Sequence, residues 1–148
     1  MATQVYTLGY SGRTPQELAE IVDRLDAILF DIRYTPQSRV PHWNRGALLR
    51  LFGSARYRHV QAFGNAAYKT GGIEIANFRA GEALLRDAER PVILLCGCPL
   101  PTDCHRTIVG AQLRALGYAV EELPPPVKRI SRSKGAAPTN GTGHLFTV

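Results

Sequence analysis

Apolar residues along this chain alternate between short runs typical of strands and longer stretches with helical spacing. The runs that predict strands cover residues 4–8, 27–32, 57–63, 91–96 and 118–123. The stretches that predict helices cover residues 15–25, 44–52, 75–88 and 103–116. Strands and helices alternate throughout, so we predict an α/β fold, a Rossmann-like three-layer sandwich with a mainly parallel sheet of about five strands.

Helix starts are the clearest local signals. Thr14 is suited to cap the first helix, Pro15 suits its first position, and Glu17 completes a capping box. By the same reasoning, Asn44 is expected to cap the second helix and Asp103 the last.

The composition changes after Leu123, which predicts one α/β domain over residues 1–123 and a basic tail over residues 124–148. Three prolines open the tail as a stiff extended segment. The tail has no acidic residue, and its basic residues are Lys128, Arg129, Arg132 and Lys134. We expect it to add salt-dependent affinity for nucleic acid without building the site. His144 has no visible partner in the sequence.

Composition excludes several classes of protein. Hydrophobic residues make up 45% of the 148 residues, enough for a folded core. No run approaches the ~18 apolar residues of a membrane helix, and the first residues lack the pattern of a secretory signal. We therefore expect a cytoplasmic protein without membrane association. Three cysteines, an odd number, favour free thiols or a site over a disulfide framework.

Charge is unevenly distributed along the chain, whose formal net charge is +6. Residues 32–73 contain no acidic residue. The basic residues of this stretch are Arg33, Arg39, Arg45, Arg50, Arg56, Arg58 and Lys69, and the interleaved aromatic residues include Tyr34, Trp43, Tyr57 and Tyr68. Cations seek phosphate and aromatic faces stack on bases, so the stretch is a candidate nucleic-acid surface. The alternative is that the aromatics are core and the arginines are solvated.

Three segments with reactive side chains follow predicted strands: residues 9–11, 31–33 and 96–106. Ligands bind at the carboxyl ends of parallel strands, so we expect these segments to meet in one cleft holding both Arg33 and Arg106. Asp31 and Arg33 share one face of their strand, where Asp31 orients a partner and Arg33 grips a phosphate, or where the two form a structural ion pair. Ser11 is either a hydroxyl donor to an anion or a turn former.

The densest patch of reactive residues runs from Cys96 to Arg106. Cys96 and Cys104 are candidate nucleophiles, since a thiol at a helix N-terminus is biased towards thiolate. His105 would move protons and Arg106 would hold an anion, as would the weaker pair Ser38 and Arg39. Three cysteines and a histidine are also enough ligands for a metal, but the recognised spacings are absent, so we expect no metal and no cofactor. Cys96 and Cys98 pack in the core under the plainest alternative.

These segments, taken in order, resemble the bacterial family named domain of unknown function 488. The resemblance runs from about Tyr6 to Leu123 and is carried by Thr7–Ser11, Asp31–Arg33 with Pro36, Ser38 and Arg39, Asn44 and Leu48, Tyr57–Val60 with Phe63 and Gly64, and Leu94–Cys96 with Cys104–Arg106. It implies a small Rossmann-like domain and no settled activity. Family members commonly carry a glutamate where this chain has Cys98.

Two functions fit these observations. The first is an enzyme, a cysteine-dependent hydrolase or transferase, acting on a phosphorylated small molecule or nucleic acid with Asp31, Cys96, Cys104 and His105 as catalytic residues. The second is a non-catalytic nucleic-acid-binding module that uses residues 32–73 and the tail. A rhodanese-like sulfur carrier ranks last, because Pro99 and Pro101 remove backbone amides that would surround the sulfur.

Overall fold

The computed structural model describes residues 3–98 and 104–126. Five strands form one sheet in the order β3-β2-β4-β1-β5, and every pairing is parallel. The strands are β1 (Gln4–Gly9), β2 (Ile28–Asp31), β3 (Tyr57–His59), β4 (Val92–Cys96) and β5 (Ala119–Glu122). The predicted Rossmann-like α/β sandwich is confirmed.

Four helices connect the strands and cover both faces of the sheet: α1 (Pro15–Leu25), α2 (Arg45–Phe52), α3 (Phe78–Arg86) and α4 (His105–Ala115). One core contains Leu18 of α1 and Leu48 of α2, and the other contains Leu85 of α3 and Val109 of α4. Successive β4 side chains enter the two cores in turn. The central strand is therefore apolar at every position, which is why its sequence is an unbroken apolar run.

The α1 prediction is confirmed in detail. Thr14 accepts from the Glu17 amide, and the Glu17 carboxylate accepts from the Thr14 amide. The prediction that Asn44 caps α2 is wrong. Asn44 precedes α2 without capping it, because its side-chain oxygen accepts the Ser38 amide instead. Cys104 occupies the cap position of α4 without a side-chain cap bond, and Asp103, which was expected to cap this helix, lies outside the described residues.

The predicted strand over 57–63 is shorter in the structure. β3 ends at His59, and residues 61–63 form a short 3₁₀ turn that places Phe63 in the core. The apolar spacing of this segment is satisfied by the turn, since Val60 and Phe63 are both buried without belonging to the strand.

The chain connections diverge at the carboxyl edge of the sheet, between β1 and β4. β1 and β4 are neighbours, but the chain leaving β1 enters α1 on one face, and the chain leaving β4 enters α4 on the other. Adjacent strands whose connections diverge in this way leave space between their carboxyl ends, the usual ligand position in such sheets.

Within residues 3–98 and 104–126, no helix is long and apolar enough to cross a membrane. The tail from residue 127 onward lies outside the described residues, and so does Asp103. The expectations for the basic tail residues and for His144 therefore stay predictions.

Candidate active site

Three cysteines converge where β4 ends and α4 begins. Cys96 is the last residue of β4, and Cys104 immediately precedes α4. The Cys96 and Cys104 sulfurs are 2.7 Å apart, and the sulfurs of Cys96, Cys98 and Cys104 all lie within 4.8 Å of one another. Cys96 and Cys104 are buried, whereas Cys98 is half-buried. We call these three residues the thiol cluster.

Arg106 is the cation beside the thiol cluster, and its side chain is completely buried. One guanidinium nitrogen, Nη1, donates to the Cys96 sulfur at 3.0 Å and to the Cys98 carbonyl at 2.9 Å. Nε and Nη2 donate to the two carboxylate oxygens of Glu122 in β5, at 3.1 and 2.9 Å. Thr7 of β1 donates to the same carboxylate at 2.5 Å. Arg106 is thus fixed by Glu122 with one nitrogen directed at the thiol cluster.

The thiol pKa values diverge within the cluster. Burial raises the pKa of Cys96 well above its ordinary value, and its hydrogen bonds with Cys104 and Cys98 act in the same direction. Hydrogen bonds from Cys104 and Cys96 lower the pKa of Cys98 to about 3, and the positive charge of Arg106 adds to the effect. Of these two thiols, Cys98 is thus the one whose surroundings favour the thiolate, and it is also the less buried residue.

His105 is buried beside the cluster in a defined orientation. Its Nε2 lies 2.8 Å from the Ile32 carbonyl oxygen. A carbonyl only accepts hydrogen bonds, so Nε2 carries the proton in neutral His105 and Nδ1 is left as an acceptor. Nδ1 is 3.9 Å from the Cys104 sulfur. His105 is therefore placed to take a proton near the thiol cluster.

A second buried cluster surrounds Asp31 at the end of β2. Arg33 donates to both Asp31 carboxylate oxygens, from Nε at 2.8 Å and from Nη2 at 2.6 Å. Tyr57 donates to Asp31 at 2.5 Å, and Arg33 Nη1 lies 3.3 Å from the Tyr10 hydroxyl. Burial opposes the charge on Arg33, but the hydrogen bonds and negative charge of Asp31 outweigh it and raise the pKa of Arg33. Tyr10 in turn stacks on Trp43, with ring centroids 4.5 Å apart.

The expectation of a single cleft holding Arg33 and Arg106 is wrong. Arg33 contacts Asp31 and Tyr10 on the α1/α2 face, whereas Arg106 contacts Cys96 on the α3/α4 face. The reason is strand parity: Asp31 is in register with Leu95, and Cys96, one residue further, points to the opposite face.

Among the described residues, the two clusters approach each other at Gly97, over the end of β4, and through the contact of His105 with the Ile32 carbonyl. A Cβ added at Gly97 would lie 3.0 Å from the Tyr10 hydroxyl. Ser11 donates to the Gly97 carbonyl at 2.5 Å. Ser11 therefore belongs to the turn after β1 and ties that turn to the chain leaving β4.

Ser38 and Arg39 lie in the loop before α2 and contact neither cluster through a described hydrogen bond. The Ser38 hydroxyl accepts the Val40 amide at 3.0 Å, which makes it a turn residue. Arg39 is exposed and has no ion pair among the described residues. Their anion-binding role stays a prediction.

Four residues of these clusters are absent from the sequence prediction of the site: Tyr10, Tyr57, Cys98 and Glu122. Arg13, outside both clusters, donates to the Gly9 and Pro124 carbonyls, and burial lowers its pKa. A signal existed for Cys98, the third thiol of the reactive patch. Glu122 carried none, because an alternating acid on an edge strand is typical of a solvated position.

The acid-free stretch over residues 32–73 separates into core and surface. Trp43 and Tyr57 are buried, whereas Tyr68 is exposed. Arg33 and Arg56 are paired with Asp31 and Asp26. The exposed cations with no ion pair in the described part of the chain are Arg39, Arg45, Arg50, Arg58 and Lys69.

No family model matches the chain, and no match was found among curated proteins or solved structures. The resemblance to domain of unknown function 488 therefore stays a prediction.

Proposed function

We propose that the protein is a cysteine-dependent enzyme that acts on a phosphorylated substrate at the carboxyl edge of its sheet, with Cys98 as the nucleophile. The observation that carries the proposal is the thiol cluster itself. Three sulfurs lie within 4.8 Å of one another beside a buried guanidinium, and only Cys98 is partly open to solvent. This assignment transfers the nucleophile from Cys96 and Cys104, the two buried thiols, to Cys98.

The surrounding residues have distinct roles in this proposal. The Cys98 thiolate attacks the phosphorus of the substrate while the P–O bond to the leaving alcohol breaks, and the alcohol takes a proton from water. The resulting thiophosphoryl intermediate is then hydrolysed, which breaks the S–P bond, releases phosphate and restores the Cys98 thiolate. Arg106 keeps the sulfurs and the Cys98 carbonyl in place, since its charge is already balanced by Glu122. His105 Nδ1 accepts the proton of the water or acceptor that resolves the intermediate. The ion pair between Asp31 and Arg33 does not contact the substrate in this proposal; it holds the end of β2 in place beside β4.

Selective alkylation tests the nucleophile. Reduced full-length protein, with a chelator present, is treated with iodoacetamide and the modified peptides are mapped over time. We expect Cys98 to react first and the buried Cys96 and Cys104 to react slowly. The variant Cys98→Ser should lose the fast phase, whereas Arg50→Ala, an exposed helical change, should keep it. Equal rates at the three thiols would contradict the proposal.

Protection from alkylation tests the substrate class. Inorganic phosphate and nucleoside monophosphates should slow the modification of Cys98. A chloride salt at the same ionic strength, without sulfate, should not slow it. If no phosphate compound protects a fast-reacting Cys98, then the nucleophile stands and the phosphorylated substrate is wrong.

A second candidate function is nucleic-acid binding, favoured by the exposed unpaired cations over residues 39–69. Their contacts to phosphate would be electrostatic, so affinity should fall steeply with salt. The double variant Arg45→Ala/Arg50→Ala should reduce the log–log salt slope by about 2 if both residues contact phosphate. An unchanged slope, measured beside the control Arg86→Ala on α3, would count against this surface.

A further inference from the structure

We propose that Cys96, Cys98 and Cys104 together bind one zinc ion through their three sulfurs, leaving a fourth coordination position open on the Cys98 side. The inference does not depend on the proposed enzymatic reaction. It starts from the convergence of three thiols, two of which are buried. Cys96 ends β4, Cys104 immediately precedes α4, and Cys98 lies in the segment between them.

Distances within the thiol cluster are close to those of a metal site. A zinc–sulfur bond is about 2.3 Å long, so sulfurs sharing one ion lie about 3.8–4.0 Å apart. All three sulfurs already lie within 4.8 Å of one another. The Cys96 and Cys104 sulfurs, at 2.7 Å, would move apart by about 1 Å on binding, a displacement within reach of side-chain rotation.

The groups around the sulfurs resemble the outer shell of a metal site. Arg106 donates an N–H bond to the Cys96 sulfur, a contact that orients and stabilises a ligating thiolate. Glu122 holds Arg106 through two bonds and balances its charge. The sulfur ligands and their support thus come from β4, α4 and β5, which are fixed by the sheet and its packing.

Ligand type and charge favour zinc over other ions. Thiolate sulfur selects soft or borderline ions such as zinc and copper(I) and disfavours magnesium or calcium. Three thiolates leave one net negative charge with a divalent ion and two with a monovalent ion. The smaller charge is easier to hold where two of the three sulfurs are buried and the Arg106 charge is already neutralised.

His105 is outside the proposed ligand set. Its Nδ1 is 3.9 Å from the Cys104 sulfur, but it is not part of the group whose ligand atoms are mutually within 4.8 Å. Three protein ligands and one open position are typical of a zinc site that exchanges water or a small molecule.

Zinc and the proposed nucleophile use the same sulfur, so they exclude each other. A bound ion would make Cys98 unreactive towards iodoacetamide, and removal of the ion by a chelator would restore the reaction. The thiol cluster would then exist in a metal-bound form and in a free-thiol form.

Native mass spectrometry of the reduced full-length chain with zinc acetate tests the proposal. We expect one zinc per chain, and we expect Cys98→Ser to raise the zinc Kd by roughly 100-fold or more. The control His42→Ala removes an exposed histidine and should leave the Kd unchanged. Circular dichroism of each variant establishes that it is folded.

Cobalt substitution provides a readout that needs no variant. Cobalt(II) bound by thiolates gives an intense ultraviolet sulfur-to-metal charge-transfer band, which oxygen and nitrogen ligands do not give. The proposal is overturned if the wild-type chain retains no zinc, if Cys98→Ser binds it equally well, or if cobalt binds without this band. A chain whose mass after treatment with reductant is still two hydrogens below that of the free-thiol form would also overturn the proposal. It would contain a Cys96–Cys104 disulfide, which would remove two of the three ligands.

Discussion

Two buried arginines, Arg33 and Arg106, each hold one carboxylate through two hydrogen bonds, and together they organise the ends of the central strands. A buried ion pair adds little net stability over an apolar pair, but removing one partner leaves an uncompensated charge. Both arginines are therefore expected to be sensitive to loss of their acid.

The variant Asp31→Asn tests this sensitivity. It leaves the guanidinium of Arg33, a residue that is 7% exposed, without its anion, so we expect a loss of about 3–5 kcal/mol in the free energy of unfolding. Asp26→Asn is the matched control, because the Asp26 side chain is 63% exposed where it pairs with Arg56 and Arg90. Its cost should be about 0–1 kcal/mol. Urea unfolding of both variants measures the difference, and equal losses would contradict the argument.

Tyr118 gives a pH-dependent contribution to stability. Its hydroxyl donates to Glu82 at 2.5 Å, and burial, together with that bond and the Glu82 charge, raises its pKa to about 12 from an ordinary value of 10.0. The folded state thus holds this proton more tightly than the unfolded state. The stabilisation is complete below pH 10 and is lost as the pH rises towards 12.

Urea unfolding of wild type and Tyr118→Phe over this pH range measures that contribution. The difference between their free energies of unfolding should shrink as the pH rises above 10. Tyr68→Phe, at an exposed tyrosine, controls for general alkaline effects. If the difference stays constant with pH, the protonation of Tyr118 does not contribute to the stability of the fold.

Residue roles were only partly predictable from the sequence. Asp31 and Arg33 stood out because charges directly beside a buried strand are rare without a purpose, and Arg106 stood out as part of the reactive patch that begins at Cys96. Glu122 did not stand out, because the sequence pattern around an acidic residue on an edge strand does not show that it will pair with a buried arginine. Which of three nearby thiols is accessible also depends on packing, and in the structure Cys98 is half-buried whereas Cys96 and Cys104 are buried.

At the scale of elements, local chemistry determined the best predictions. The α1 boundaries follow from a capping box that is complete within four residues. β3 and the Asn44 cap were predicted less well, because contacts outside the element satisfied the groups on which each prediction rested. The Asn44 oxygen accepts the Ser38 amide instead of capping α2. Phe63 reaches the core from a 3₁₀ turn instead of from a strand.

Loss of the α1 capping box should have a measurable cost. Thr14→Ala removes the acceptor of the Glu17 amide, and we expect the free energy of unfolding to fall by about 1 kcal/mol. Ser54→Ala, at an exposed position in the turn before β3, should change it by less than about 0.5 kcal/mol. If thermal or urea unfolding shows the same effect for both, the cap is not stabilising α1.

The end of β1 limits the space of the thiol cluster. A Cβ at Gly9 would lie 1.8 Å from the Cys98 carbonyl oxygen and 2.9 Å from an Arg106 nitrogen. Gly9→Ala should therefore displace Cys98, reduce stability by about 1–3 kcal/mol and slow its alkylation. Gly46→Ala on α2 is the control, since its nearest atom is the end of a flexible arginine at 3.5 Å. Alkylation of Gly9→Ala at the wild-type rate would show that the cluster does not need this close approach.

At the scale of the whole molecule, the fold was predictable because strand and helix periods alternate regularly along the chain. The site was less so. Sequence order places residues 9–11, 31–33 and 96–106 at one edge, but it does not say on which face of the sheet each side chain lies. A shift of a single residue in strand register decides this, as it does for Leu95 and Cys96.

The strand order also has a consequence for how the chain is made. β1 is synthesised first, yet its neighbours are β4 and β5, which pair with it through Val5–Val92 and Gln4–Ala119. On a ribosome, β2 and β3 are available to pair long before β1 has a partner. Val5 and Leu8 of β1 stay without their final neighbours until most of the chain has emerged. The centre of the sheet can therefore close only after β4 has been synthesised, so we expect the pairing of β1 with β4 to be a late event in folding on the ribosome.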